Sequence, residues 1–383
     1  MIAGAAVAAV AYVTWSGRSE PSQPNAAPAT ASQTAPEGPR TPGALEMTPI
    51  ELPQPAYNQN DDICHTARSE WTFPGSDAAG VRARLSSAGF DAATQEALLA
   101  HLRCDASGCA LDAPDPLLRS LPATPRGRLY RDIAAFRGQM FSVIPYRRAG
   151  SFAPWAQVVR SPRAKELFDQ LSWREGDASY FADVATACRA LTDPAERVEM
   201  LSLLRRRYSL DVRVRVDAST DPVAVARYWT LGDAPPSPGL IAQVRDAQRD
   251  GRALPLRELL TGWARDKLNA YPGESSPERD CYWSTLHFDA PDAERFPAPT
   301  PGAFAAELSA RWREVPRESL RYGDAIVLMG ATEPEHAMIY LANDLVFTKN
   351  GRMRSRAWVI EHLAEVLAEY PRIASVRFYR RAS

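Results

Sequence analysis

The chain of 383 residues lacks the extreme compositions that mark several classes of protein. Its 45 basic and 46 acidic residues give a formal net charge of −1, so it lacks the basic excess of a dedicated nucleic-acid binder. Charged residues make up 24% and hydrophobic residues 45%, which excludes wholesale disorder and collagen-like or coiled-coil architectures. No internal repeat is present. At about 150 residues per domain, the length predicts two domains and a tail.

The chain also lacks a hydrophobic run long enough to span a membrane comfortably. Residues 2–15 (IAGAAVAAVAYVTW) are apolar, whereas a spanning helix takes about 20 such residues. The run is typical of the apolar part of a secretory signal or of a short anchor, so we assign residues 1–17 to that role. A frayed N-terminal helix is the alternative. No cysteine lies near this segment, which argues against a lipoprotein anchor.

Proline is concentrated just after this segment. Nine of the 32 prolines fall between Pro21 and Pro55. Residues 18–57 are rich in Pro, Ala, Ser, Thr and Gln, and they cannot bury enough apolar surface to offset their ordering entropy. We predict a disordered, semi-rigid linker that holds a globular part away from a membrane. The expected location is the periplasm or cell envelope, anchored or secreted, with membrane contact only through the N-terminal segment.

The cysteines lack the paired CxxC spacing of familiar zinc sites. They are Cys64, Cys104, Cys109, Cys188 and Cys281. In an exported protein an odd count suggests disulfides and one free thiol. Cys104 and Cys109 flank a turn sequence and could close a small loop, which would leave Cys64 to pair with Cys188. Buried free thiols are the alternative.

Residues 58–250 have mainly helical periodicity and predict an accessory domain. Helices are predicted over Asp77–Ala88, Asp91–Arg103, Arg126–Arg137, Ser161–Trp173, Ser179–Leu191 and Pro194–Tyr208. Leu210–Val216 alternates apolar and charged residues and predicts a strand. No catalytic pattern stands out here, and we interpret His65 and His101 as structural.

Residues 251–383 carry the chemical information. Asp280 is a plausible N-cap, which places Cys281 in the first turn of a helix, where the helix dipole and free N–H groups favour the thiolate. A small cysteine facing the core is the alternative. Gly323-Asp324 predicts a turn followed by a buried strand, and the next strand opens with His336.

A hairpin and a final helix complete the pattern. Asn343-Asp344 predicts the hairpin turn, and the following strand leads through Thr348 to a second turn at Asn350-Gly351. A helix is predicted over Arg356–Tyr370 and a last strand over Ala374–Tyr379. One helix followed by several strands predicts an α+β fold with an antiparallel sheet.

This order resembles the NlpC-type branch of the papain-like cysteine peptidases. The matching residues are Asp280-Cys281, then Leu320, Gly323, Asp324 and Val327, then His336 with Ile339-Tyr340-Leu341, and more loosely Tyr271 and Gly273. The run from Val346 to Gly351 also resembles uncharacterised bacterial members of that superfamily. Two features depart from the family: Tyr282-Trp283 follows the cysteine where Ser-Gly is common, and the third catalytic position holds Thr348.

The resemblance implies a helix packed on an antiparallel sheet and a cysteine hydrolase. Cys281 would be the nucleophile, and His336 would carry its proton. Thr348 would orient the imidazole, with Asn343 and Asp344 as substitutes, and Tyr271 would join the N–H of Cys281 in holding the oxyanion. Neither a metal nor an organic cofactor is implied. The implied substrate is the peptide part of peptidoglycan or another amide.

Two other functions stay open. A non-catalytic envelope protein that binds or scaffolds could retain the fold, and so could a toxin-like effector that acts on another cell. His287 and His362 are interpreted as structural. Trp283, Trp312 and Trp358 are interpreted as core or groove residues.

Overall fold

The computed structural model describes residues 40–134, 146–274, 279–289, 299–370 and 373–382. The predicted export segment 1–17 and most of the predicted linker 18–57 lie outside the described residues. Within the described ranges, no helix is both long and apolar enough to cross a membrane.

The first part of the described chain combines helices with short antiparallel strands. The strands are β1 (Ala44–Leu52), β2 (Trp71–Pro74), β3 (Leu102–Asp105), β4 (Gly108–Leu111), β5 (Tyr146–Arg148), β6 (Trp173–Glu175) and β7 (Ala178–Phe181). The helices are α1 (Asp62–Thr66), α2 (Ala78–Ala88), α3 (Ala92–Leu99), α4 (Asp115–Ser120), α5 (Ala123–Ala134), α6 (Trp155–Val158), α7 (Pro162–Leu171), α8 (Val184–Ala190) and α9 (Pro194–Leu204). Two three-stranded sheets have the orders β2-β4-β3 and β5-β7-β6.

Helix starts agree with the sequence predictions better than helix ends do. Asp77, Asp91 and Ser161 each accept a hydrogen bond from a backbone N–H of the first turn. The helix predicted over Ser179–Leu191 is wrong at its start, because residues 178–181 form β7. The predicted helices also extended into what are β3, β6 and the strand after α9. Short strands in hairpins form through pairing with neighbours, which local propensity does not reveal.

Two disulfides confirm the suggested cysteine pairing. Cys64–Cys188 joins α1 to α8 across a sequence separation of 124 residues, and Cys104–Cys109 joins opposed residues of β3 and β4. Cys281 is free and buried. In the chain-entropy view, closing so long a loop as that of Cys64–Cys188 stabilises the fold by about 4 to 5 kcal/mol.

The last part of the predicted linker is a strand and not disordered. β1 pairs antiparallel with β8 (Arg207–Arg215), which in turn pairs with β9 (Leu254–Pro255). Pro49 is tolerated because β1 is the edge strand of this sheet. The prediction missed β1 because its partner lies far along the chain, with Ala44 opposite Arg215.

One hydrophobic core crosses the predicted domain boundary at residue 250. Before this boundary lie α10 (Pro222–Tyr228) and α11 (Pro238–Asp250), and after it lie α12 (Leu256–Leu259) and α13 (Gly262–Lys267). Val212, Trp229 and Val244 pack in the same core as Phe347 and Trp358. Residues on both sides of the predicted boundary therefore share one hydrophobic core.

The C-terminal part is built on a six-stranded antiparallel sheet. Its elements are α14 (Cys281–Leu286), α15 (Pro301–Arg311), β10 (Trp312–Glu314), β11 (Ala325–Met329), β12 (Pro334–Ala342), β13 (Leu345–Thr348), β14 (Val359–His362), α16 (Leu363–Glu369) and β15 (Ser375–Arg381). The strand order is β10-β15-β11-β12-β13-β14. The fold is α+β with antiparallel sheets, as predicted. The predicted helix Arg356–Tyr370 is wrong in its first half, which contains β14.

The two faces of this sheet pack against different helices. On the α14 face, Val327 and Ala337 pack with Cys281 and Leu286. On the α16 face, Ile326, Met338 and Val346 pack with Leu363 and Val366. Neighbouring residues of one strand alternate between faces, so this division decides the surroundings of each candidate site residue.

Candidate functional site

Asp280 and Trp358 fix Cys281 at the start of α14. The Asp280 carboxylate accepts from the backbone N–H of Trp283 at 2.9 Å, as an N-cap should. Ser284 Oγ donates to the Asp280 carbonyl at 2.7 Å and accepts from Trp358 Nε1 at 2.8 Å. The predicted cap is confirmed, although α14 has only six residues.

The thiol of Cys281 is buried in an apolar environment. Only 5% of the residue is exposed, and it lies against Val327 and Ala337. Burial, helped by the charge of Asp280, raises its pKa to about 12, although nearby backbone N–H groups and Lys349 act in the opposite direction. In this structure Cys281 is therefore a thiol. The expectation that the helix start would favour the thiolate is wrong here, because desolvation outweighs the dipole of so short a helix.

His336 lies one residue before Ala337 on β12, with its ring on the α16 face. The ladder between β12 and β13 begins at Ile339 opposite Phe347, so His336 lies beyond its end. The ring is fully buried and stacks on Tyr370, with 4.5 Å between ring centroids. Its Nε2 lies 2.9 Å from Thr348 Oγ1 and its Nδ1 lies 3.0 Å from the Tyr370 hydroxyl. The predicted contact of His336 with Thr348 is present.

The hydrogen bonds of the neighbours assign the tautomer of His336. Thr348 Oγ1 donates to Asn350 Oδ1 at 3.3 Å, so it accepts from His336 Nε2–H. Nδ1 is then the unprotonated nitrogen, and it accepts from the Tyr370 hydroxyl. Burial, with a smaller contribution from Arg356, lowers the pKa of His336 to about 3. The imidazole is neutral, and both nitrogens have partners.

Cys281 and His336 are not hydrogen-bonded to each other. They lie on opposite faces of β12, since Ala337 packs on Cys281 and the preceding His336 faces α16. Among the described residues, no hydrogen bond joins the sulfur to the imidazole. Tyr370 interacts with both: it bonds to His336, and the charge of an ionised Cys281 would raise its pKa.

Tyr271 is not at the predicted oxyanion position. Its hydroxyl donates to the carbonyl of Leu52 at 3.1 Å and accepts from Gln54 Nε2 at 3.1 Å. The ring packs beside Leu52 and Val359, away from the Cys281 cluster. These partners come from the end of β1 and the residues after it. Because the sequence predicts that segment to be a disordered linker, these partners of Tyr271 could not be foreseen.

Other predicted roles fall as follows. Asn343, with a φ of 55°, forms the hairpin turn, and Asp344 bonds to His362 Nδ1 at 2.8 Å, so neither substitutes for Thr348. His287 is buried, with Nδ1 2.7 Å from the Trp283 carbonyl, which agrees with a structural role.

Three polar residues of the site escaped the sequence analysis: Asn350, Glu361 and Tyr370. Asn350 Nδ2 donates to Glu361 Oε2 at 3.1 Å, which extends the contacts of Thr348. Asn350 resembled a turn residue, and the other two fell in a predicted helix. An isolated glutamate after Val359-Ile360 is the one signal that could have marked a strand there.

No protein-family model, curated protein or solved structure matches this chain. Among the described residues, no group of three or more His, Cys, Asp or Glu side chains is placed to hold a metal ion. The chemistry of the site therefore follows from its own residues, which are a buried thiol, a neutral imidazole with two hydroxyl partners and a carboxyl group beyond Asn350.

Proposed function

We propose that the protein is an exported cysteine hydrolase with a papain-like, NlpC-type C-terminal fold. It cleaves amide or peptide bonds, with the peptide part of peptidoglycan as the expected substrate. One observation carries the proposal: Thr348 holds His336 as the Nε2–H tautomer. The next residue of the strand, Ala337, packs with Cys281, whose thiol is free. A buried imidazole with a fixed basic nitrogen suits proton transfer once the thiol of Cys281 is brought to it.

The reaction follows from these groups. Nδ1 of His336 takes the thiol proton, and the sulfur attacks the amide carbonyl carbon, forming a C–S bond. The C–N bond then breaks, and the amine leaves with the proton from Nδ1. Water, deprotonated by Nδ1, attacks the thioester and releases the carboxylic acid, and the sulfur recovers its proton.

We interpret the observed arrangement as the resting state of this scheme. Nδ1 is the nitrogen that must take the proton, and the hydroxyl of Tyr370 occupies it. The thiol is protonated and nearly inaccessible. Substrate binding must therefore move Tyr370 away and bring Cys281 to the imidazole, as in other enzymes whose sites are completed on binding.

The disulfides support the proposed export. Disulfides persist in oxidising compartments and are rare in the cytosol. Both pairs join elements within residues 62–190, and the candidate nucleophile remains outside them. Four cysteines paired in disulfides and one kept as a buried thiol are what an exported cysteine hydrolase requires.

The test uses the full chain with peptides released from peptidoglycan. Mass spectrometry would detect products that have gained one water molecule. We expect turnover by the wild type and none by Cys281→Ala or His336→Gln. Tyr271→Phe should turn over normally, because the hydroxyl that it removes bonds only to Leu52 and Gln54 among the described residues. Turnover that survives Cys281→Ala, or a wild type that cleaves no peptide or other amide, would overturn the proposal.

A non-catalytic envelope-binding protein is the second candidate. The observation that favours it is that both ring nitrogens of His336 are engaged and that burial raises the pKa of the Cys281 thiol to about 12. In that case the wild type would bind the same peptides without turnover, and Cys281→Ala would bind them equally well. Calorimetry of both proteins with one peptide separates the two candidates.

A further inference from the structure

The hydrogen bonds of the site form one continuous path from Tyr370 to Glu361. Tyr370 donates to His336 Nδ1, and His336 Nε2–H donates to Thr348 Oγ1. Thr348 donates to Asn350 Oδ1, and Asn350 Nδ2 donates to Glu361 Oε2. In every one of these hydrogen bonds the donor lies on the Tyr370 side and the acceptor on the Glu361 side. His336, Thr348 and Asn350 are buried, so water does not compete along the middle of the path.

Glu361 is the group that can set the direction of this path. A threonine hydroxyl can rotate, an asparagine amide can turn over, and a neutral histidine can carry its proton on either nitrogen. Each of these three side chains can therefore donate to, or accept from, either of its neighbours in the path. An ionised carboxylate only accepts, so it requires the NH₂ of Asn350 to face it. The amide oxygen then faces Thr348, whose proton points away from His336.

The proton on Glu361 would allow the opposite direction. A protonated Glu361 can donate to the amide oxygen of a turned Asn350, whose NH₂ then donates to Thr348. The Thr348 hydroxyl would donate to Nε2, which moves the imidazole proton to Nδ1. In that tautomer Nδ1 cannot accept a proton from the thiol.

Charged residues from three other segments face Glu361. They are Arg207 on β8, Arg356 before β14 and Glu369 on α16. Arg356 Nη1 lies 3.5 Å from Glu369 Oε2. Burial and the charge of Glu369 raise the pKa of Glu361, while Asn350 and the two arginines act in the opposite direction. The balance of these groups decides when Glu361 loses its proton.

We propose that Glu361 and Asn350 are positioning residues that set the tautomer of His336 through Thr348. They take the place of a side chain that would orient the histidine directly. The ionised form of Glu361 selects the Nε2–H tautomer, in which Nδ1 can act as the base. This inference rests on the proposed function only for its catalytic consequence, because the tautomer is a property of the free protein.

The test is ¹⁵N NMR of the histidine rings in the full chain, with His336 assigned through His336→Gln. Wild type should show Nε2–H at high pH and a growing fraction of Nδ1–H as the pH falls and Glu361 gains its proton. Glu361→Gln should show a mixture that does not change with pH, because an amide can donate or accept. Glu369→Gln should shift the wild-type transition to lower pH, since it removes a charge that raises the pKa of Glu361.

The controls separate this path from general effects on the fold. Glu365→Gln removes a carboxylate of α16 that pairs with Arg147, and it should behave as wild type. Thr348→Val should abolish the pH dependence, and Thr348→Ser should restore it. The thermal melting of each variant shows whether it is folded. A His336 tautomer that ignores Glu361→Gln in a folded protein would overturn the inference.

Turnover provides the second readout. Glu361→Gln should leave only part of the molecules in the Nε2–H tautomer, so it should lower kcat/KM in proportion, about twofold for an even mixture, and flatten its pH profile. If wild type has no turnover but its tautomer follows Glu361, the positioning role stands and the proposed hydrolase function fails. If wild type turns over and Glu361→Gln matches it in rate and tautomer, the hydrolase stands and the positioning role fails.

Discussion

The two faces of strand β12 bury two reactive side chains in opposite ways. On the α14 face, Cys281 lies among apolar side chains such as Val327 and Leu286. On the α16 face, His336 has a hydroxyl at each ring nitrogen. A thiol is a weak hydrogen-bonding group and tolerates an apolar site, whereas a buried imidazole without partners is costly. One face of β12 therefore covers a protonated thiol on α14, and the other face carries an ordered polar path.

The largest expected effect concerns the reactivity of Cys281. With a pKa of about 12, compared with about 8.5 for a free cysteine, the thiolate fraction at pH 7 falls by roughly a thousandfold or more. Iodoacetamide should therefore label the folded, substrate-free protein at least that much more slowly than the unfolded protein. Mass spectrometry of the Cys281 peptide measures both rates, with disulfides left intact. Rapid labelling of the folded protein at pH 6 to 7 would contradict the neutral thiol.

Acid should destabilise the polar face next most strongly. The pKa of His336 is about 3 in the folded protein and about 6.5 when unfolded, so only the unfolded state gains this proton between those values. The stability contributed is present above pH 6.5 and is lost as the pH falls toward 3. Between pH 7 and pH 4, wild type should lose roughly 3 kcal/mol more unfolding free energy than His336→Gln, as measured in urea. Equal losses in the two proteins would show that the imidazole is not buried neutral.

Removing one hydroxyl should have unequal effects on the two faces. Thr348→Val leaves His336 Nε2–H and Asn350 Oδ1 without a partner and should cost about 1 to 3 kcal/mol. Thr285→Val on α14 removes a buried hydroxyl that has no hydrogen-bond partner among the described residues, so it should change stability by less than about 0.5 kcal/mol. Urea unfolding of the pair measures the contrast. Similar losses from both substitutions would mean that the path beyond His336 adds no stability.

Tyr370→Phe should destabilise the protein less than Thr348→Val does. It keeps the stacked ring and removes one neutral hydrogen bond to Nδ1, a loss of about 1 kcal/mol. Because Nδ1 is then open, Cys281 should be alkylated faster than in wild type at the same pH. Labelling of Tyr370→Phe beside Tyr370→Phe/His336→Gln shows whether the increase depends on the imidazole. An increase that persists in the double variant would assign it to looser packing.

Much of the C-terminal pattern could be predicted because it depends on local chemistry. Asp280 caps α14, and Gly323 and Asn343 adopt the positive φ values of 91° and 55° that their turns require. The placement of His336 and Thr348 on neighbouring strands could be predicted because Asn343-Asp344 marks the hairpin turn between them. Tyr271 was misplaced because its partners, Leu52 and Gln54, come from a segment whose strand pairing is long-range.

By itself, the sequence determined the features that depend on a few adjacent residues: helix caps, the C-terminal hairpin turns and the strands on either side of them. It suggested the cysteine pairing but left buried free thiols as the alternative. Only the tertiary structure decided the register of β1 on β8, the single core across residue 250, and the face of β12 on which each side chain lies. It also decided that Cys281 is a thiol and His336 is neutral. Desolvation and hydrogen-bond direction depend on groups distant in sequence, such as Glu361 and Arg207, which come together only when the chain folds.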